Sequence, residues 1–206
     1  MYNFYYIMPS KNTVKVFDAP AFYHVYNRGA GGRKIFTKED DKKKFMSLLE
    51  RHLTIDNIGA NKQLYKTYDI ELVAYCLMGS HFHLLFFQPD DPNELTGLMR
   101  SVSTAYSMYF NKCYKSQGHL FQSIYRASRI NNDAYLSHIT RYIHLNPNTY
   151  KTYRWSSLPY YVGKKHCNWI HPERINDTSA DEYMTFLEDY EDRKKTLKEI
   201  KGQLAL

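Results

Sequence analysis

The chain has 206 residues, with 28 Lys+Arg against 21 Asp+Glu for a formal charge of +7, and is 43% hydrophobic. That is enough length and apolar content for one large core, and the positive excess permits contact with phosphates without requiring it. Three cysteines without a CxxC pattern argue against a disulfide framework or a cysteine zinc site. No run of about 18 apolar residues exists to span a membrane.

Taken in chain order, residues 1–20 are aromatic and irregular and lack the basic-then-apolar layout of a signal peptide, so they read as an N-terminal extension. AFYHVYN (21–27) reads as a strand, and Arg28-Gly29-Ala30-Gly31-Gly32 as a flexible loop. Thr37 and Asp40 suit a capping box for a helix carrying Phe45, Leu48, Leu49 and Leu53 at helical spacing. Residues 54–69 read as a polar insertion. IELVAYCLM (70–78) and HFHLLFFQ (81–88) are two strands joined by a tight turn at Gly79-Ser80. Asp91-Pro92-Asn93-Glu94 starts a long helix. HLFQSIYRASRI (119–130) is a strand or hairpin, and Asn132 caps a helix that ends before Pro147. One more amphipathic helix follows, with Tyr183, Phe186, Leu187, Tyr190, Leu197 and Ile200 on one face. The β-α-β-β-α-β-α order predicts an α+β fold, an antiparallel ferredoxin-like sheet with helices on one face, plus a C-terminal helical extension. The expected divisions are 1–20 for the extension, 21–161 for the main domain and 162–206 for the helical tail.

Three constellations could carry chemistry. In a strand, alternate residues share a face, so His81 and His83 point the same way while Phe82 enters the opposite layer. Two imidazoles so placed can converge on a metal ion, or they can be strand histidines bonded to neighbours. In RYIHLNP, Tyr142 and Asn146 lie four apart on one helix face. They can face one point together, or belong to the packed face of Tyr135, Ile139, Tyr142 and Ile143. In GHLFQSIYRASR, His119, Gln122, Arg126 and Arg129 mix donors and cations that could line a groove for a nucleic-acid strand, or form the solvated side of a hairpin. Arg28 is counted with them as a DNA contact. The 20 tyrosines supply flat faces suited to stacked bases, although most must be structural.

In their order, ELVAYCLMGSHFHLLF, the long helix, GHLFQSIYRA, YLSHITRYIHLNPN and WSS resemble the single-tyrosine HUH transposases, insertion-sequence type, and more specifically the branch associated with repetitive extragenic palindromes. The resemblance covers about residues 21–161, with Phe82 as the hydrophobic residue of the His-hydrophobic-His motif. Met78-Gly79-Ser80 stands where many relatives carry Met-Pro-Asn, which alters the turn more than the ligands. The resemblance implies that His81, His83 and Asn146 hold Mg²⁺ or Mn²⁺ and that Tyr142 is the nucleophile. It implies cleavage and rejoining of single-stranded or hairpin DNA through a 5′-phosphotyrosine, in the cytoplasm on nucleoid DNA, with a homodimer among the assemblies it admits. A domesticated or non-catalytic nucleic-acid-binding protein on the same plan is the alternative, as is an RNA-binding module or a metal-dependent hydrolase that forms no adduct.

Overall fold

The computed structural model describes residues 17–54 and 64–189. Its centre is a four-stranded sheet of β1 (Ala21–Arg28), β2 (Glu71–Leu77), β3 (His81–Gln88) and β4 (Arg126–Ile130), in the order β2-β3-β1-β4 with every pairing antiparallel. Helix α1 (Glu39–Leu53) connects β1 to β2 across β3, and α2 (Glu94–Tyr114) connects β3 to β4 across β1. Each β-α-β unit therefore leaves room for a strand of the other, which is the ferredoxin-like interleaving the element order predicts.

Strand alternation sends Tyr23, Val25, Phe82, Leu84 and Phe86 to one face, where they pack with Phe45 and Leu48 of α1 and Leu98, Val102 and Tyr106 of α2. The expectation of helices on one face holds for α1 and α2 only. Helix α3 (Asp133–Leu145), the short α4 (Leu158–Tyr161) and α5 (Ala180–Glu188) join the opposite face, through Ile139, Tyr142, Ile143, Tyr161, Tyr183 and Leu187. Coverage on both sides explains why ELVAYCL is apolar at nearly every position instead of alternating. A bulge between Leu72 and Ala74 turns both Val73 and Ala74 to the α3 side, an irregularity that a continuous apolar run conceals.

Local chemistry sets the helix ends. Asn132 accepts the Tyr135 N–H at 3.2 Å and starts α3 as the sequence predicts. At α1 the work falls one residue later than the predicted Thr37–Asp40 box. The buried Asp41 carboxylate accepts the N–H groups of Thr37 and Lys38 at 2.7 and 2.8 Å, and the Tyr114 hydroxyl at 2.7 Å, while Asp40 pairs with Lys43. Helix α2 begins at Glu94, after a turn in which Asp91 accepts the Asn93 N–H.

The flanking segments are packed on this sheet. Phe17 is buried against Tyr23. The free edge of β2 is covered by later chain: Leu77 N–H donates to Trp155 O, Ser157 N–H to Tyr75 O, and His171 N–H to Leu72 O. An edge so covered has few unpaired groups to offer another strand. Buried His144 of α3 bonds the Tyr183 hydroxyl of α5 through Nδ1 and Ser157 Oγ through Nε2, each at 2.7 Å, tying the last described helix to the sheet. Residues 1–16, most of the polar insertion, and Tyr190, Leu197 and Ile200 of the predicted tail helix lie outside the described residues. Among the described residues no helix is long and apolar enough to cross a membrane.

Candidate active site

The site forms where the α3 side of the sheet meets the C-terminal end of α3. The strand period puts His81 and His83 on this side, as predicted. Pairing then sets their neighbours: Arg28 is opposite His81, Tyr26 is opposite His83, and Arg126 is opposite Tyr26 one strand further on. The turn before His81 is held by Gly29, whose N–H donates to Ser80 O at 2.9 Å. A Cβ on Gly29 would fall 2.1 Å from the Arg33 carbonyl oxygen, so this position has no room for a side chain.

Helix α3 lowers Tyr142 and Asn146 onto the histidines. The Tyr142 hydroxyl lies 3.4 Å from His83 Nε2, a long hydrogen bond, with the two rings edge-to-face. Asn146 Oδ1 lies 3.2 Å from His81 Nε2, and His81 Nδ1 is 3.1 Å from Ser80 Oγ. Asn146 occupies the helix terminus, where its side chain leaves the helix beside the turn. The four residues singled out from strand and helix spacing are therefore brought together. His83 and Tyr142 are buried, and His81 is partly exposed.

One further member escapes sequence reasoning. His24, at the middle of β1 and 0% exposed, sits diagonally across from His83, with its Nε2 3.0 Å from His83 Nδ1. Its only sequence signal is a lone histidine sharing a strand face with Phe22 and Tyr26.

The electrostatics keep the histidines neutral. Burial lowers His24 to about 3 and His81 below its ordinary value, and burial together with the His24 and His81 charges pushes His83 well down. Neutral imidazoles keep a lone pair for a ligand. Burial pushes the Tyr142 hydroxyl up to about 12, against the opposing hydrogen bond from Asn146, so at neutral pH it carries its proton.

These buried histidines make folding pH-dependent. His24 and His144 both sit at about 3 in the folded chain. The unfolded chain takes up their protons first as pH falls below about 6.5, so stability is fully present above that value and is lost toward pH 3. Urea unfolding at pH 5.5 is expected to give about 1–3 kcal/mol less stability than at pH 7.5, since each such histidine contributes up to about 1.4 kcal/mol per pH unit in this window. Equal stability at the two pH values would contradict the neutral, buried state of both rings.

The polar residues proposed to touch DNA divide. Arg28, Gln122 and Arg126 line one small pocket with Tyr26, Asn27 and Ser123, beside the histidines, and the Arg28 guanidinium donates to Gln122 Oε1. His119 and Gln122 line a larger open groove between α2 and residues 118–124. Arg129 is opposite Tyr23, so it projects from the other face of the sheet, where it pairs with Asp18 at 2.5 Å. Of the segment 119–130, read from the sequence as a strand or hairpin, 126–130 forms the strand β4 and Phe121 makes an isolated antiparallel bridge to Gly29. The part before β4 is bound to the glycine loop, through Ala30 N–H to Leu120 O and Gln122 N–H to Arg28 O.

No curated protein sequence matches the chain significantly. A solved structure of a REP-associated tyrosine transposase bound to a REP hairpin superposes with a TM-score of 0.54 at 13% identity, covering 80% of this chain and 92% of that one. It shares the fold of the sheet and helices described above. The model of the family described as "Transposase IS200 like" matches residues 22–146, from the start of β1 to the asparagine beside His81, and with that span, well over half of its length, the chain belongs to the IS200-like transposase family.

Proposed function

We propose that the protein cuts and rejoins single-stranded or hairpin-borne DNA through Tyr142, with His81, His83 and Asn146 holding a divalent cation next to it. The observation that carries this reading is the double contact of one helix face with one strand face: Tyr142 on His83 and Asn146 on His81. Among the described residues no three His, Cys, Asp or Glu side chains gather as a metal cluster, and a carboxamide third donor accounts for that. The donor types and spacing fit a hard or borderline ion. His81 Nε2 and Asn146 Oδ1, 3.2 Å apart, are near enough for one cation to take both. Bound Mg²⁺ or Mn²⁺ would polarise a phosphate oxygen and offset the charge growing on it.

The protein's own residues supply the rest. Tyr142 Oη attacks phosphorus and gives up its proton to solvent as the O–P bond forms. The bond to the 3′ oxygen breaks and that oxygen takes up one proton in turn, leaving a free 3′-OH and a 5′-phosphotyrosine with no net change in protons. Because the phosphodiester bond is exchanged and not hydrolysed, a second 3′-OH can reverse the step and rejoin strands without an outside energy source. His83 Nε2 has one lone pair, so using it for a cation requires the Tyr142 hydroxyl to turn away, which frees the nucleophile for the phosphate. Arg28 and Arg126, on the β4 side of the histidines, would hold the backbone of the strand, with Gln122 and His119 continuing along the groove. Arg129 faces away from this path, so no DNA contact is assigned to it. The proposed place of action is the cytoplasm, on nucleoid DNA.

The test is incubation of the protein with a labelled library of DNA hairpins bearing randomised single-stranded flanks, with Mn²⁺, followed by a denaturing gel. A covalent protein–DNA band mapped to Tyr142 by mass spectrometry is expected. DNA retention without any adduct would leave a binding protein on the same fold, and turnover to free ends without an adduct would mark a hydrolase.

A further inference from the structure

His24 has no part in the chemistry above, yet its placement is costly. It is 0% exposed, its ring stacks on His83 at 5.1 Å between centroids, and its Nδ1 has no hydrogen-bond partner among the described residues. A residue needed only for packing would be better as Phe or Leu, which leave no polar atom unpaired. What the imidazole adds is the 3.0 Å contact of its Nε2 with His83 Nδ1.

Two neutral imidazoles in that contact share one hydrogen, and this permits two arrangements. In the first, His24 Nε2–H donates to His83 Nδ1, and His83 carries its own hydrogen on Nε2, toward the Tyr142 hydroxyl. In the second, His83 Nδ1–H donates to His24 Nε2, and the hydrogen of His24 resides on its Nδ1. Each ring bears one hydrogen in both arrangements, so their net protonation is the same; passing from the first to the second moves the shared hydrogen to His83 Nδ1, releases one proton from His83 Nε2 and takes one up at His24 Nδ1. They differ in what reaches the site: an N–H in the first, a lone pair in the second. Only the second lets His83 Nε2 hold a cation, and it needs an acceptor where His24 Nε2 stands.

We infer that His24 is a positioning residue, which holds the His83 ring angle and, when a cation takes the His83 Nε2 lone pair, accepts the His83 Nδ1 hydrogen and so supports the tautomer that turns this lone pair into the site. The inference rests on the reading of His83 as a metal ligand. It assigns no contact with DNA or cation to His24 itself.

Two substitutions in the full chain separate this role from packing. His24→Gln keeps an acceptor on a side chain long enough to reach His83 Nδ1, whereas His24→Phe fills the space and offers none. Mn²⁺ binding is followed without DNA by the electron paramagnetic resonance of the free ion, and thermal unfolding reports whether each variant folds. His24→Phe is expected to weaken Mn²⁺ about 10–100-fold, and His24→Gln to stay within about threefold of the parent. Nitrogen-15 correlation spectra of the parent with saturating Mg²⁺ are expected to show His83 as the Nδ1–H tautomer, a readout that needs no variant to fold. A folded His24→Phe protein that binds Mn²⁺ like the parent, or an Nε2–H tautomer at saturation, overturns the role of His24. If His83→Ala also binds Mn²⁺ unchanged, the ligand reading beneath it falls as well.

Discussion

Tyr142→Phe is expected to abolish the covalent protein–DNA adduct while leaving hairpin binding and the fold intact. The loss should be on the order of 10⁴-fold or more, since no other group replaces a missing nucleophile. The geometry makes this substitution a narrow probe. The phenyl ring keeps the edge-to-face packing on His83, at 5.0 Å between centroids, and what is removed is the hydroxyl's 3.4 Å hydrogen bond to His83 and its hydrogen bond with Asn146. Together these two bonds contribute about 1–2 kcal/mol, so the variant should unfold within several degrees of the parent. The measurements are the denaturing gel for the adduct, fluorescence anisotropy for hairpin binding, and a thermal melt. An adduct of undiminished yield in Tyr142→Phe would show that another of the 20 tyrosines attacks, and peptide mapping would name it.

This expectation depends on how the site is assembled, and that assembly was only partly visible in the sequence. His81 and His83 share a face by strand period, and Tyr142 and Asn146 share a face by helical period; each pair was legible because its geometry is local. The Asn132 cap and Pro147 bracketed α3 and so fixed which turn carries Asn146. That the two pairs meet came only from the ordered family resemblance, because nothing in either period says which helix covers which strand. His24 was missed for the same physical reason. Its contact with His83 spans 59 positions and exists only through the β1–β3 register. The register also separated two arginines that the sequence grouped. Arg126 and Arg129 are three apart in one short strand, so one faces the histidines and the other faces Asp18. Residues 119–125 carry strand-like composition, yet their backbone bonds go to the glycine loop, a partner no propensity could indicate.

The second large effect concerns the cation, and it separates charge from geometry at one position. His81→Ala removes one of three proposed donors and is expected to weaken Mn²⁺ by about 100-fold or more, with adduct yield falling in parallel at fixed Mn²⁺. Asn146→Leu, of similar volume without an oxygen donor, should do the same. Asn146→Asp should act in the opposite direction. It keeps an oxygen near the place of Oδ1, 3.2 Å from His81 Nε2, and adds a negative charge beside the cation, tightening binding by about tenfold. Tighter cation binding need not speed cleavage, because a carboxylate also repels the phosphate that must enter beside it. Affinity and adduct yield are thus expected to move together in His81→Ala and to part in Asn146→Asp. If the parent forms its adduct undiminished in excess chelator, the cation has no part in cleavage. If Asn146→Leu binds Mn²⁺ like the parent, the third donor is elsewhere, and the 3.2 Å contact serves only to hold the end of α3 against the strand.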